Sequence, residues 1–258
     1  MNKKILIALL MCFPLFAHAS EEGGENLMKA DVNLENKNSL RNGAKLFVNY
    51  CMSCHSAKYM RYIHVARDLG LTDKQMQKNL ILVSDFSDEE KPQGVDKKVG
   101  ALMTVAMQSK DAKKWFGTAV PDLTLVARVR GADWLYTYLN SFYLDPSRPT
   151  GANNILFHNV GMPDVLWELH GLRKMHESKA KDSDGKEIEK VSFEQVTEGK
   201  MTEAEYHKAT NDLVNFLVYL GEPVKLERQR VGILVMFYLA IFFIFAYLLK
   251  KEYWKDVH

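Results

Sequence analysis

The sequence predicts a mostly α-helical domain with loop and hairpin insertions, followed by one C-terminal transmembrane helix. Three observations predict it. Val231 to Leu249 is a run of 19 residues without a charge, close to what a helix rising about 1.5 Å per residue needs to cross roughly 30 Å of hydrocarbon. Two upstream stretches, one from Leu40 and one from Thr202, repeat apolar residues at helical spacing behind capping residues. The 258 residues are 47% hydrophobic and 26% charged, a composition that folds, and the middle of the chain is long enough for one domain with its own core.

The amino end reads as a secretory signal spanning residues 1–19. Lys3 and Lys4 precede an apolar run from Ile5 to Phe16, and Ala17-His18-Ala19 has the small-x-small form of a cleavage site. The run is short for a membrane span and Pro14 interrupts it; Cys12 follows Met11 rather than a small residue, which argues against a lipoprotein cysteine. The export this implies divides the chain into a periplasmic domain over 20–228, an anchor over 229–250 and a cytoplasmic tail over 251–258. Arg228 and Arg230 precede the apolar run and Lys250 and Lys251 follow it. Flanking charge therefore orients it weakly, and the signal sets the orientation. The net charge is +2; removing +2 at the amino end and +1 from Lys250 onward leaves the middle near −1, without the excess suited to gripping nucleic acid.

Along the domain, a first helix is expected from Leu40 to about Tyr50, capped by Asn38 or Ser39, with Leu40, Ala44, Phe47, Val48 and Cys51 on one face. Gly43 within it is costly unless something packs closely there. The acidic run Asp85 to Glu90 reads as a loop, as do the early acids Glu21, Glu22 and Glu25. A further helix is expected from Ala132 to Phe142, ended by Asp145-Pro146. The polar stretch from Lys174 to Gly199 reads as a hairpin turning at Asp184-Gly185. In the last helix of the domain, Thr202 and Glu205 form a capping box, Tyr206, Ala209, Leu213, Phe216, Leu217 and Leu220 make the apolar face, and Gly221 and Pro223 end it.

Removal of the signal leaves two cysteines, Cys51 and Cys54, too close together to staple a large domain. They stand in Cys51-Met52-Ser53-Cys54-His55, the attachment pattern of c-type haem. Two thiols three positions apart near a helix start reach the two vinyl groups of one haem, and the adjacent imidazole points at the iron. A zinc half-site would want a second ligand pair, and no third exported cysteine exists. A thioredoxin-like pair would want a βαβ context. For the iron's other face, Met162 stands out in the loop Asn159-Val160-Gly161-Met162-Pro163, where Gly161 permits a turn and Pro163 stiffens it. His64, His158 and His170 compete with it. Met103, Met107, Met175 and Met201 suit the role of helical core filler.

From these segments the chain resembles the cytochrome c1 family, the haem subunit of the cytochrome bc1 complex, from Leu40 to the anchor. Cys51 to Tyr62 is similar to the family's attachment segment, and Trp115-Phe-Gly with Pro121 to Arg130 resembles its haem-edge segment. Thr150 to Asn154 and Asn159 to Pro163 resemble its axial-methionine region, and Gly221 to Gly232 the segment feeding the anchor. The resemblance implies a cytochrome c-like haem domain with one covalent haem c, His55 and Met162 as axial ligands, Arg130 against a haem propionate and Trp134 beside the haem. Where relatives often show a proline pair, this chain has Val120-Pro121, leaving Pro121 as the haem-packing proline. The implied function is an electron relay from the Rieske iron–sulfur protein to a c-type cytochrome, beside cytochrome b, within ubiquinol–cytochrome c oxidoreductase. The subunit is not a catalyst alone. An anchored cytochrome subunit of a terminal oxidase, a haem sensor or peroxidase with an open iron position, and a haem-free thiol redox protein are the competing readings.

Overall fold

The computed structural model describes residues 27–82, 100–105, 107, 109–181 and 187–256. The expected signal peptide, both acidic stretches and the turn at Asp184-Gly185 lie outside them.

The first helix, α1 (Lys37–Leu46), opens three residues earlier than expected because Asn36 caps it, its side chain accepting from the Ser39 N–H at 3.1 Å. It passes into a π-turn, Phe47–Cys51, in which the Met52 N–H donates to the Phe47 carbonyl five residues back. The expected face is the buried one: Leu40, Ala44, Phe47, Val48 and Cys51 are all covered.

That face packs on α8 (Glu203–Gly221), which begins with the Thr202–Glu205 capping box. Two helices approach closely where one has no side chain, and Gly43 supplies that place. A β-carbon there would overlap the Asp212 carbonyl oxygen and stand 2.7 Å from Phe216 Cβ. Beside it the buried Asp212 carboxylate accepts from Ser39 Oγ at 2.5 Å, Asn42 Nδ2 at 3.2 Å and Lys208 Nζ at 2.9 Å, so the buried charge is paired and bonded. Gly43→Ala is expected to destabilise the domain by about 3 kcal/mol, the upper end for overpacking, and to lower the melting temperature by roughly 6–12 °C. Thermal unfolding followed by circular dichroism checks this, and an unchanged transition would mean the helices part at no cost.

Between these helices the chain lays short elements around the same core. They run β1 (Ala57–Arg61), α2 (Tyr62–Leu69), α3 (Asp73–Asn79), β2 (Leu102–Met103), α4 (Ser109–Phe116), α5 (Val126–Arg130), α6 (Ala132–Leu139), β3 (Phe142–Leu144), β4 (Ala152–Asn154) and α7 (Trp167–His170). Helix α6 is shorter than expected. It stops at Leu139, and Phe142 to Leu144 instead pairs antiparallel with Ala152 to Asn154, so Phe142 is a strand residue. The hairpin forms with β5 (Arg173–Lys181) paired to β6 (Glu187–Gln195). Met103, Met175 and Met201 are not helical, contrary to expectation; Met103 is nonetheless fully buried, and Met201 packs against the core.

Helix α9 (Lys225–Tyr253) follows α8 after a break at Glu222 to Val224. Its most apolar window has a mean hydropathy of 2.6 and no part of it is buried. Such a face is stable in lipid rather than in water. The break is clamped by Glu222, whose carboxylate accepts from Arg228 at 2.5 Å and from Arg128 at 2.7 Å. Arg228 foremost, and Arg128 with it, holds that carboxyl below its ordinary pKa. The clamp ties the first turns of α9 to α5.

Candidate haem site

The motif leaves the end of the π-turn rather than opening a helix. The N–H groups of Cys54 and His55 both donate to the Cys51 carbonyl, at 3.1 and 2.9 Å, coiling the five residues into one tight turn. Cys51 is buried, Cys54 half-buried, and the two are free thiols rather than a disulfide. Burial foremost, and then the neighbouring Cys54, pushes the Cys51 thiol up to about 12. Thiols that work by exchange are shifted the other way, so this environment speaks against the thiol redox reading.

His55 is oriented from outside the motif. Its Nδ1 lies 2.7 Å from the Pro121 carbonyl, which can only accept, so Nδ1 carries the proton and Nε2 keeps its lone pair for a metal. Burial lowers the imidazole's pKa against the opposing pull of the Pro121 carbonyl and Asp122, favouring the neutral form that ligates. The proline is itself fixed. The Asp122 carboxylate accepts from the Lys58 N–H at 2.8 Å and from Thr124 Oγ1 at 2.6 Å, while the Leu123 N–H donates to the Ser56 carbonyl at 2.8 Å.

Met162 is half-buried in its loop, with its sulfur 3.3 Å from the Tyr138 hydroxyl. The loop is held by a polar frame. Asn153 Oδ1 accepts from the Asn159 N–H, and Asn154 Oδ1 accepts from the N–H groups of Leu156 and Phe157. Arg148 spans the Asn159 side-chain and main-chain oxygens, both at 3.1 Å. Asn159 takes φ +61°, a left-handed conformation that asparagine tolerates. A β-carbon on Gly161 would lie 3.2 Å from the Phe116 carbonyl and 3.3 Å from Thr118 Cγ2. The segment 116–122 thus touches the methionine loop at one end and His55 at the other.

Trp134 stacks on Tyr138 at 5.1 Å between ring centroids, and the Arg130 guanidinium lies 5.0 Å over the indole. The candidate residues therefore fall into two groups, Cys51, Cys54, His55 and Pro121 on one side and Met162, Trp134 and Arg130 on the other, joined by 116–122. Of the competing histidines, His64 and His158 are exposed, and the buried His170 bonds the Asp164 carboxylate through Nε2. Tyr138, Arg148, Asn153 and Asn154 were missed from sequence as site residues; the paired asparagines before the methionine loop were visible, but their acceptors become meaningful only once the loop folds over them.

Among the described residues no three His, Cys, Asp or Glu gather as a metal cage. The free thiols in one turn, with an adjacent neutral imidazole whose Nε2 is spare, do match what a haem of c type asks of a chain. With the bare apolar helix α9, the fold and site define a class: a membrane-anchored c-type haem protein. A family model described as Cytochrome C1 family matches residues 31–257. Cytochrome c1 of Allochromatium vinosum is 47% identical over 258 residues, covering the whole of both chains. A protein of Nitrosomonas europaea named ammonia monooxygenase gamma subunit is 40% identical over all of this chain and 99% of its own, and cytochrome c1 of Rhodobacter capsulatus 22% identical over 83% of this chain and 82% of its own. The chain belongs to the cytochrome c1 family, the haem subunit of the bc1 complex.

Proposed function

We propose that this chain binds one haem c covalently through Cys51 and Cys54, with His55 and Met162 as axial ligands, and relays single electrons from a Rieske iron–sulfur protein to a c-type cytochrome. The observation that carries the reading is the single segment 116–122, which orients the His55 imidazole through Pro121 and packs on the Met162 loop. The haem supplies one-electron chemistry at its iron, and a histidine–methionine pair sets a comparatively high potential. The chain's residues do the rest. The Pro121 carbonyl holds the proton on Nδ1 and so leaves the Nε2 lone pair for a bound haem iron. The asparagine frame fixes the loop that carries the Met162 thioether. Arg130, carried over the Trp134 ring, offers its guanidinium to a haem propionate.

In this reading the domain lies in the periplasm, α9 crosses the inner membrane once, the tail is cytoplasmic, and the haem domain is held beside cytochrome b, where quinol is oxidised. Purification from membranes in mild detergent is expected to bring down cytochrome b and a Rieske protein with this chain, and a haem stain should survive on its denatured band. Recovery with an ammonia-oxidising assembly instead would move the chain to the setting named for the Nitrosomonas relative. Truncation before Arg230 keeps the Arg228–Glu222 clamp and all of α8. It is expected to give a soluble, exported, haem-bearing domain, and truncated protein resisting a high-salt wash of the membranes would refute a single anchor.

A further inference from the structure

Tyr138 does more than fill space beside Met162. Its ring is held on two sides, by Trp134 stacked at 5.1 Å and 10° and by Phe142 edge-on at 5.1 Å and 73°, and its carbonyl accepts from Asn154 Nδ2 at 2.8 Å. The ring has little freedom to turn, and the hydroxyl it delivers donates to Met162 Sδ at 3.3 Å. A thioether sulfur has two lone pairs, and a donor on one leaves the other for a metal. We propose that Tyr138 is a positioning residue for the electron relay, its hydroxyl committing one lone pair of the Met162 sulfur and so setting both the face it turns to the iron and the potential of the haem. The inference rests on Met162 being the axial ligand.

The direction follows from charge. A hydrogen bond draws electron density from the sulfur and weakens its donation to iron. Ferric iron, the more electron-poor state, loses more by that than ferrous iron, so the bond favours the reduced form. Asn154 serves two purposes here, fixing the Tyr138 backbone through its amide nitrogen and the 156–157 turn through its oxygen. One buried side chain thereby sets the donor and the loop carrying the acceptor in a common frame.

The test is made on the full haem-loaded chain in detergent. Tyr138→Phe keeps the ring and removes the donor. It is expected to retain covalent haem and the methionine-to-ferric charge-transfer band, but to shift the band and lower the midpoint, moving the ferric-to-ferrous ratio at fixed ambient potential by about threefold toward ferric, within the span of one modest hydrogen bond. Site-specific Tyr138→3-fluorotyrosine, a stronger donor of nearly the same shape, is expected to move the midpoint the opposite way; loss of packing would not reverse sign. It also keeps the proposal testable should the phenylalanine variant fail to load haem. Midpoints equal to the parent in the fluorotyrosine variant, or in a loaded phenylalanine variant, would overturn the role of Tyr138 while leaving ligation intact. Persistence of the charge-transfer band in Met162→Leu would instead overturn the ligand assignment, and this inference with it.

Discussion

A chain carrying both Cys51→Ser and Cys54→Ser is expected to lose all haem staining on a denaturing gel and to accumulate as a poorly folded, protease-sensitive domain. Two effects act together. On the proposed attachment both thioether bonds are lost, and with them the large apolar group that segments 51–62, 116–134 and 138–162 would enclose. Serine also places a hydroxyl at position 51, in the apolar core, at a cost of about 1–3 kcal/mol if unpaired. The double alanine variant separates the two, since alanine brings no hydroxyl. It should restore part of the packing but none of the covalent haem. Haem staining in either double variant would sink the attachment assignment.

Met162→Leu is expected to retain covalent haem, to lose the methionine-to-ferric charge-transfer band, and to lower the midpoint by something on the order of 0.1–0.2 V, a fraction of the roughly 0.8 V that axial ligation spans. Leucine matches methionine closely in volume, so the Val160–Phe142 packing around the site should survive. Without the thioether's preference for ferrous iron the ferric state gains. Potentiometric titration with visible spectra reads both quantities, and a variant indistinguishable from the parent would pass the ligand role to another methionine or a histidine.

The parts of this molecule that local chemistry decides could be read in the sequence. The Thr202–Glu205 capping box is a contact across three residues, and the hairpin pairs two strands that are neighbours in sequence, Arg173–Lys181 and Glu187–Gln195. The buried face of α1 follows from a period of 3.6 residues. Reading failed where a distant partner decides. Periodicity runs on through Phe142, but Asn154 draws that segment into a strand. Asn36, Asn38 and Ser39 all have capping side chains, and the docking of the preceding segment through Asn33 onto Asn215 helps select the first. Within the site, the motif and the methionine loop carry recognisable residue types. The Tyr138–Met162 bond joins positions 24 apart, and nothing about a tyrosine on a helix announces it.

The π-turn before the motif also sets where this segment can change in length. Five residues close a turn that an α-helix closes with fewer, so Phe47–Cys51 is wound wider than the helix feeding it. Deleting one residue there would let the backbone relax into ordinary α-helix, because the five-residue turn absorbs the loss and leaves the chain beyond it near its present direction. A deletion within the regular helix Lys37–Leu46 would instead turn everything downstream by about 100° around the axis and draw it back by about 1.5 Å. Cys51 would swing out of the core, and His55 would lose the Pro121 carbonyl. Single-residue deletions should therefore be far less tolerated within Lys37–Leu46 than between Phe47 and Tyr50. A library of single-residue deletions scored for haem loading would show the two segments apart.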